Sequence, residues 1–485
     1  MSALSRRDLL KTAGTGVVVA AGVAPGSARA ADGGAELTVD VAVVGAGLTG
    51  LTAARELQRA GKTVHVIEAD ERVGGRIWTT SAPGGREPVN WGATFVGPSQ
   101  DKVLALASEL GVGTYKTWDT GKNVQDFAGK VQRYTGTVPP LDLLSLIEAQ
   151  RVINLINSMA RGIDPAAPWS SPRATGLDTV TCQTWIDANV LTGGARSLVR
   201  AAILAIFSCE PAEISPLHLL FYVKSAGSLE KLLNTTAGAQ ESQLVGGSQR
   251  LPEGLAARIG AGNLTLSSPV RKIVDTGSGV RVIAEHVTVN AKRVVVAVPP
   301  PMVPRIAFEP GLSALKDQLY QRMPMASVGK VIAIYRTPFW RAAGLTGQAV
   351  SDQGPVSNTF DLTGPGTSRG VLMGFVDGQR AREFWDLDQA ERRRQVTVQF
   401  TRWFGAAAAT PDDYLDLSWD AQPLHRGCPV AIPAPGALIG FGRALRRPEG
   451  RCHFASTETA LVWSGYMDGA IRAGEAVAAE ARAAL

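Results

Sequence analysis

The chain has little from which to build a metal centre or a disulfide framework. Its four cysteines (Cys182, Cys209, Cys428, Cys452) form no C-x-x-C pair, and its five histidines (His65, His218, His286, His425, His453) are scattered. No metal-ligand spacing occurs, so no metal site is expected. No segment holds 18 uninterrupted apolar residues, which excludes a spanning helix and predicts a soluble protein without a stable membrane anchor. An excess of one charge is also lacking. The formal net charge is +6, and Arg6, Arg7, Lys11 and Arg29 against Asp8 supply +3 of it. No basic run is interleaved with aromatics, which excludes a nucleic-acid partner. Internal repeats are absent, and low complexity is confined to the N-terminal segment and Ala406–Ala409.

What is present begins with an address. Ser5-Arg6-Arg7-Asp8-Leu9-Leu10-Lys11 resembles a twin-arginine export motif, and a Gly/Ala-rich stretch follows over Thr12–Ala24. Ala28-Arg29-Ala30 supplies a small-x-small cleavage site, so residues 1–30 read as a signal and Ala31 as the mature start. Thirteen weakly apolar residues are too few to anchor the chain in a bilayer. The expectation is export of a folded, soluble protein by the twin-arginine machinery, to the cell envelope, the periplasm or the medium.

The most informative segment follows. Val41–Val44 is an apolar run of buried-strand type, and Gly45, Gly47 and Gly50 come directly after it. Leu51–Arg59 then reads as a helix and Val64–Ile67 as a second strand. Gly45 permits a tight turn, Gly47 lets the backbone approach a pyrophosphate, and Gly50 lets helix and strand pack closely. The helix N-terminus then faces the phosphates. Glu68 lies 18 residues after Gly50, where a carboxylate accepts from ribose hydroxyls. The strand, helix, second strand and acid together define a dinucleotide site.

About 455 mature residues exceed one ordinary core, so two domains are expected. Gln100–Leu110, Leu141–Met159, Ser197–Phe207 and Ala390–Phe404 carry helical periodicity, the last with its basic residues outside. Val270–Val274, Val280–Ala284, Val294–Val298, Val328–Tyr335 and Gly370–Val376 read as strands. The end of the chain returns to strand (Cys452–Ala455), glycine turn and helix (Tyr466–Ala484). The pattern implies an α/β fold of two interleaved domains. One is a Rossmann-like dinucleotide domain over 37–115, 245–320 and 422–485; the other is an α+β substrate domain over 116–244 and 321–421.

Beyond the fingerprint, Glu68-Ala-Asp-Glu-Arg72-Val-Gly74-Gly75-Arg76 resembles a segment of FAD-dependent oxidases of the glutathione reductase-like class. Three further blocks extend the likeness: Phe221–Lys224 with Thr235–Ser248, Ser327–Val331 with Pro338-Phe339-Trp340, and Thr457–Ala460 with Trp463–Ala470. The chain is similar in these motifs to the flavin amine oxidase family, and within it to the monoamine oxidases. The resemblance implies an FAD domain covered by a mixed-sheet substrate domain. It assigns Gly45, Gly47, Gly50, Glu68, Arg72, Gly74, Gly75, Arg76, Gly92, Ala93, Val270, Glu458, Trp463 and Met467 to the cofactor, the Met467 N–H meeting the flavin's pyrimidine oxygen. Lys330 matches the lysine that holds a water at flavin N5, and Tyr466 matches one wall of an aromatic cage. Leu233, Gln240, Asn358 and Pro429 fall at cavity positions. The chain departs from the pattern at Pro429, where the second cage ring would stand, and at Ser456, which replaces a glycine. Cys428 falls where mammalian relatives bond the flavin 8α carbon, and it is read either as that thioether partner or as a buried free thiol.

The reaction so implied passes a hydride equivalent from the amine α-carbon to the flavin. An imine is released and hydrolyses to an aldehyde and ammonia or a smaller amine, and O2 becomes H2O2. The expected partners are a small amine and O2, with a homodimer as the assembly. Other readings stay open: a diamine or polyamine oxidase with an anionic anchor such as Glu210, Glu230 or Glu241, a secondary-amine (alkaloid) oxidase, and a non-catalytic FAD-binding protein. An L-amino-acid oxidase is disfavoured because Ser81 stands where the family carries an arginine for the substrate carboxylate.

Overall fold

The computed structural model describes residues 35–485 apart from Arg86, so the export motif and cleavage site lie outside the described residues. Two large sheets organise the chain. The first runs in the order Leu264–Thr265, Val64–Ile67, Ala35–Val44, Val287–Val296, Val280–Ala284, Val270–Asp275, Ala307–Glu309. Cys452–Phe454 pairs in parallel with the far end of Val287–Val296. The central strands are parallel, with Val44 opposite both Ile67 and Val296. Both faces of the first strand are buried, Val41 and Val43 in a core shared with helices and Ala42 and Val44 in one shared with Val270, Ile273, Val282, Leu319 and Tyr320, which is why Val41–Val44 is apolar throughout rather than alternating.

The Leu48–Arg59 helix leaves the first strand through Gly45, whose φ is +101°. A Cβ there would stand 2.7 Å from the Ala297 carbonyl oxygen, and one on Gly50 only 2.0 Å from that of Gly45. Only glycine permits the turn and the close helix–strand contact. The C-terminal helix Met467–Ala483 packs beside Leu48–Arg59, sharing a core with Leu51, Ala54, Ile471 and Val477.

The second sheet runs Asp413–Ser418, Val328–Tyr335, Gly370–Asp377, Asn358–Asp361, Leu345–Ser351, Lys122–Phe127, Lys130–Tyr134. Every residue of Val328–Tyr335 is buried. The Gln389–Phe404 helix lays Val396, Phe400 and Trp403 on this sheet and leaves Arg393, Arg394 and Arg402 outside. A separate helical core gathers Leu143–Arg161, Gly193–Phe207, Pro216–Ala226 and Leu229–Leu233.

The elements expected from the sequence differ in the structure mainly at their ends, and others, such as the helices Pro216–Ala226 and Arg250–Ile259, were not expected at all. The first long helix starts at Leu143, not Leu141, because Asp142 caps it by accepting the Ser145 N–H at 3.0 Å. The strand expected over Val294–Val298 begins at Val287, where pairing with Ala35 opens its ladder. Lys122–Phe127, Leu345–Ser351, Asn358–Asp361 and Asp413–Ser418 lack a clear alternation and become strands through pairing. Among the described residues no helix is long and apolar enough to cross a membrane, and no group of side chains could hold a metal. All four cysteines are free and buried.

Candidate active site

Two adjoining cavities lie between the sheets and the helical block. The inner one has a volume of about 460 Å3 and the outer about 670 Å3. Phe95, Ala205, Ile206, Gln240 and Phe375 line both, so they mark the junction.

One end of the inner cavity is the glycine-rich turn. Gly45, Gly47, Glu68, Gly74 and Gly75 line it, with Val270 beside them. The Leu48–Arg59 helix carries no side-chain cap at Gly47, and a Cβ placed on Gly47 would meet nothing within 4 Å. Its first N–H groups therefore point into open space, where they and the helix dipole suit a pyrophosphate. Glu68 is buried, with Oε2 accepting the Ala46 N–H at 2.5 Å and Oε1 the Asp70 N–H at 2.9 Å. Burial raises its pKa. This uncapped cradle, long and backed by an acid, fits a dinucleotide.

The other end carries Lys330, Cys428, Tyr466 and Met467, with Gly92 and Ala93 on the wall. Lys330 is 4% exposed. Its Nζ donates to the Asn90 carbonyl at 2.9 Å, the Gly92 carbonyl at 2.6 Å and Thr94 Oγ1 at 2.8 Å. It also lies 5.1 Å from the Phe375 ring centroid, its cross-strand partner. Burial drives its pKa down from 10.5 to about 7, against the weaker opposing pull of Cys428 and Asp377. A water-exposed lysine at a strand edge is thereby ruled out. Burial raises the Tyr466 phenol, which stays protonated.

Pro429 lines the inner cavity and offers no aromatic ring. The lining ring packed on Tyr466 is Tyr222, at 6.0 Å between centroids and 43° between planes. Cys428 is 7% exposed, and burial pushes its thiol up to about 11 although Arg76 and Lys330 pull the other way. Arg76 is held from behind. It donates to both Glu458 oxygens, at 2.7 and 3.1 Å, and to the Pro429 carbonyl at 2.8 Å. Burial penalises both charges, yet the pair holds Arg76 above and Glu458 below their usual pKa values. Glu458 also accepts the Ala431 N–H at 3.0 Å. The pair thus ties the Gly74–Arg76 turn to the cysteine loop.

Four residues assigned to the cofactor stand behind the lining rather than in it. Gly50 packs helix on strand. The Arg72 guanidinium turns away from the cavity, donating to the Gly75 and Ile77 carbonyls at 3.0 Å each and lying 4.7 Å over Trp78, so it braces the glycine turn. Glu458 meets Arg76 and a backbone N–H. Trp463 donates to the Ser99 carbonyl at 3.0 Å and packs edge-on to Tyr466 at 4.9 Å, behind that ring. Leu233 and Asn358 line the outer cavity, and Gln240 stands at the junction. There Gln240 Nε2 donates to the Leu232 carbonyl at 3.0 Å while Oε1 has no partner among the described residues.

Sequence reading gave no role to several other lining residues: Trp91, Tyr222, Phe375, Trp419 and His425. Phe375 is found only by knowing that Gly370–Asp377 pairs with Val328–Tyr335. His425, three residues before Cys428, is kept neutral: burial, then Arg72 and Arg76, drive its pKa to about 3.

A dinucleotide cradle that shares its cavity with a buried lysine and a pair of tyrosines, and opens onto a second chamber, defines a flavin-dependent oxidoreductase. The comparisons specify it further. The family model for "Flavin containing amine oxidoreductase" matches residues 48–482, and the chain belongs to that family. It is 43% identical over 448 residues to the Mycobacterium tuberculosis protein called "Putative flavin-containing monoamine oxidase AofH", covering 92% of this chain and 97% of that one. It is 34% identical over 446 residues to amine oxidase (flavin-containing) B of Sus scrofa, covering 91% and 85%. Among solved structures, cyclohexylamine oxidase from Brevibacterium oxydans superposes with a TM-score of 0.88 at 32% identity, covering 92% of this chain and 99% of that chain. Wild-type putrescine oxidase bound to putrescine gives 0.88 and 32%, covering 92% and 100%. The chain is an FAD-dependent amine oxidase by family.

Proposed function

We propose that the protein oxidatively deaminates a primary amine to an aldehyde, with O2 reduced to H2O2. The observation that carries this reading is the buried Lys330, which lines the same cavity as Tyr466 and the dinucleotide cradle and whose cross-strand partner Phe375 stands at the junction with the outer chamber. FAD, when bound, supplies the two-electron oxidation and hands the electrons to O2. The chain's own groups do the rest. The uncapped helix start and Gly47 would hold the pyrophosphate, Glu68 the ribose, and the Met467 N–H the pyrimidine edge. Tyr466 and Tyr222 orient the amine nitrogen through ring faces. The apolar wall excludes water and favours the neutral amine. Lys330, with a pKa of about 7, holds or releases a proton at Nζ near neutral pH. The apolar chamber and the low count of acid–base groups in it favour this reading over a hydrolytic one.

The experiment is a peroxidase-coupled assay of the purified yellow protein over a panel of primary amines, with aldehyde measured in parallel. Stoichiometric H2O2 and aldehyde are expected; bound flavin with no turnover of any amine would leave a scaffold protein instead. We further propose that Cys428, which lines the inner cavity, carries the flavin as a thioether. Acid-precipitated protein should then stay yellow, and Cys428→Ala should release its colour on denaturation. Export by the twin-arginine route as a homodimer belongs to the same proposal. Arg6→Lys with Arg7→Lys should trap the protein in the cytoplasm, and light scattering reads the assembly.

A further inference from the structure

The outer chamber has a one-signed electrostatic character. Near the junction its wall carries Phe95, Ile206, Leu233 and Phe375 together with the neutral polar side chains of Gln240 and Asn358. The charged residues that line it are Asp119 and Glu230, no lysine or arginine is in the lining, and neither acid lines the inner cavity. Of the three acids singled out as anchors from sequence, Glu210 accepts the Gln379 N–H at 3.0 Å and Glu241 pairs with Lys116, and both stand outside the linings. Glu230 alone stands in the chamber.

Its setting keeps it charged. Glu230 lies on the short Leu229–Leu233 helix, half-buried. Its oxygens accept from Asn157 Nδ2 at 3.1 and 2.9 Å, and Asn157 is itself fixed by accepting the Leu229 N–H at 2.9 Å. Burial opposes ionisation, but the helix backbone, Asn157 and Ser228 outweigh it and lower the pKa. No cationic side chain is among the groups that shift it. A partly buried carboxylate held by a neutral amide has a charge left to be matched, and the chamber is the space from which a ligand would match it. The remote position matters too: binding energy gained there positions the reacting end without touching it.

We propose that Glu230 sets the charge preference of the substrate, so that the favoured primary amines carry a second cationic group beyond an apolar spacer and carboxylate-bearing amines are rejected. This rests on the amine oxidase reading above. The neutral amino end would sit by Tyr466 while the distal cation meets Glu230, with Asp119 adding a weaker pull because it is exposed and already accepts from Thr236 at 2.7 Å and Gln348 at 3.1 Å.

Three probes of equal length test it: hexylamine, 1,6-diaminohexane and 6-aminohexanoate. The expected order of kcat/KM is diamine, monoamine, amino acid, with about tenfold between neighbours, the change that about 1.4 kcal/mol brings. In Glu230→Gln the diamine-to-hexylamine ratio should fall at least about fivefold, and in Glu230→Lys 6-aminohexanoate should overtake the diamine. Because each ratio is taken within one variant, partial loss of folded protein cancels, and flavin content confirms the fold. Hexylamine turnover with no charge discrimination, or discrimination unchanged in Glu230→Gln, overturns this inference and leaves the amine oxidase reading standing. Flavin-loaded protein that oxidises none of the three, nor any amine of the wider panel, overturns both.

Discussion

Replacing Lys330 by methionine should make the protein more stable in acid, less stable in alkali, and slower at every pH. Wild-type Lys330 is buried with a pKa lowered from 10.5 to about 7. A lysine whose folded pKa lies below its unfolded value binds fewer protons folded than unfolded, so its ionisation penalises folding below pH 7. That penalty fades as pH rises through 7 to 10.5. Over that span it amounts to about 5 kcal/mol. The methionine removes it but leaves the Asn90 and Gly92 carbonyls and Thr94 Oγ1 without their donor, at about 1 kcal/mol each. The variant should therefore gain about 2 kcal/mol near pH 6 and lose about 3 above the unfolded pKa. The two curves cross near pH ~8, with a relative slope of ~1.4 kcal/mol per pH unit. Urea denaturation of the flavin-loaded wild type and variant at pH 6, 7.5, 8.5 and 9.5 measures this, and stopped-flow reduction and reoxidation measure the loss of rate. A stability difference that stays flat across this range would mean that the lysine titrates normally, and the proposed proton handling would lose its physical basis.

Other perturbations separate structure from chemistry. Glu458→Ala strands the buried Arg76 charge and should cost about 3–5 kcal/mol while loosening the flavin, readable as a lower unfolding temperature and a weaker FAD Kd. Because Glu458 is held below its usual pKa, its contribution is present above the ordinary glutamate range and is lost as the pH falls through the depressed value; an acid limb of unfolding that is insensitive to Glu458→Gln would contradict this. Tyr466→Ala should lower kcat/KM about tenfold or more, the effect of losing a ring face that positions the amine, with flavin content intact; equal kinetics would remove Tyr466 from the site. Gly45→Ala, at φ +101° and facing the Ala297 carbonyl, should cost about 1–3 kcal/mol and empty the site of FAD, as seen by absorbance.

Sequence alone carried the dinucleotide half of the protein, because that half is local. Val41–Val44, Gly45, Gly47, Gly50 and Glu68 act within one strand–turn–helix–strand unit, where spacing along the chain is spacing in space. Lys330 could be singled out because a lysine inside an apolar strand is conspicuous, and family motifs attached Tyr466 and Cys428 to it. What folding added was non-local. The partners of Lys330 come from Asn90–Thr94, the ring over it from the strand at Phe375, and the ring beside Tyr466 from the helix carrying Tyr222. Arg72, Glu458 and Trp463 belong to the same motifs yet face away from the lining, since a motif fixes which residues recur together and not which way each side chain turns. Whether Glu210, Glu230 or Glu241 reaches the chamber was likewise undecidable along the chain: only the placement of the Leu229–Leu233 helix at the chamber wall brings Glu230 to it, because burial and charge pairing depend on neighbours distant in sequence.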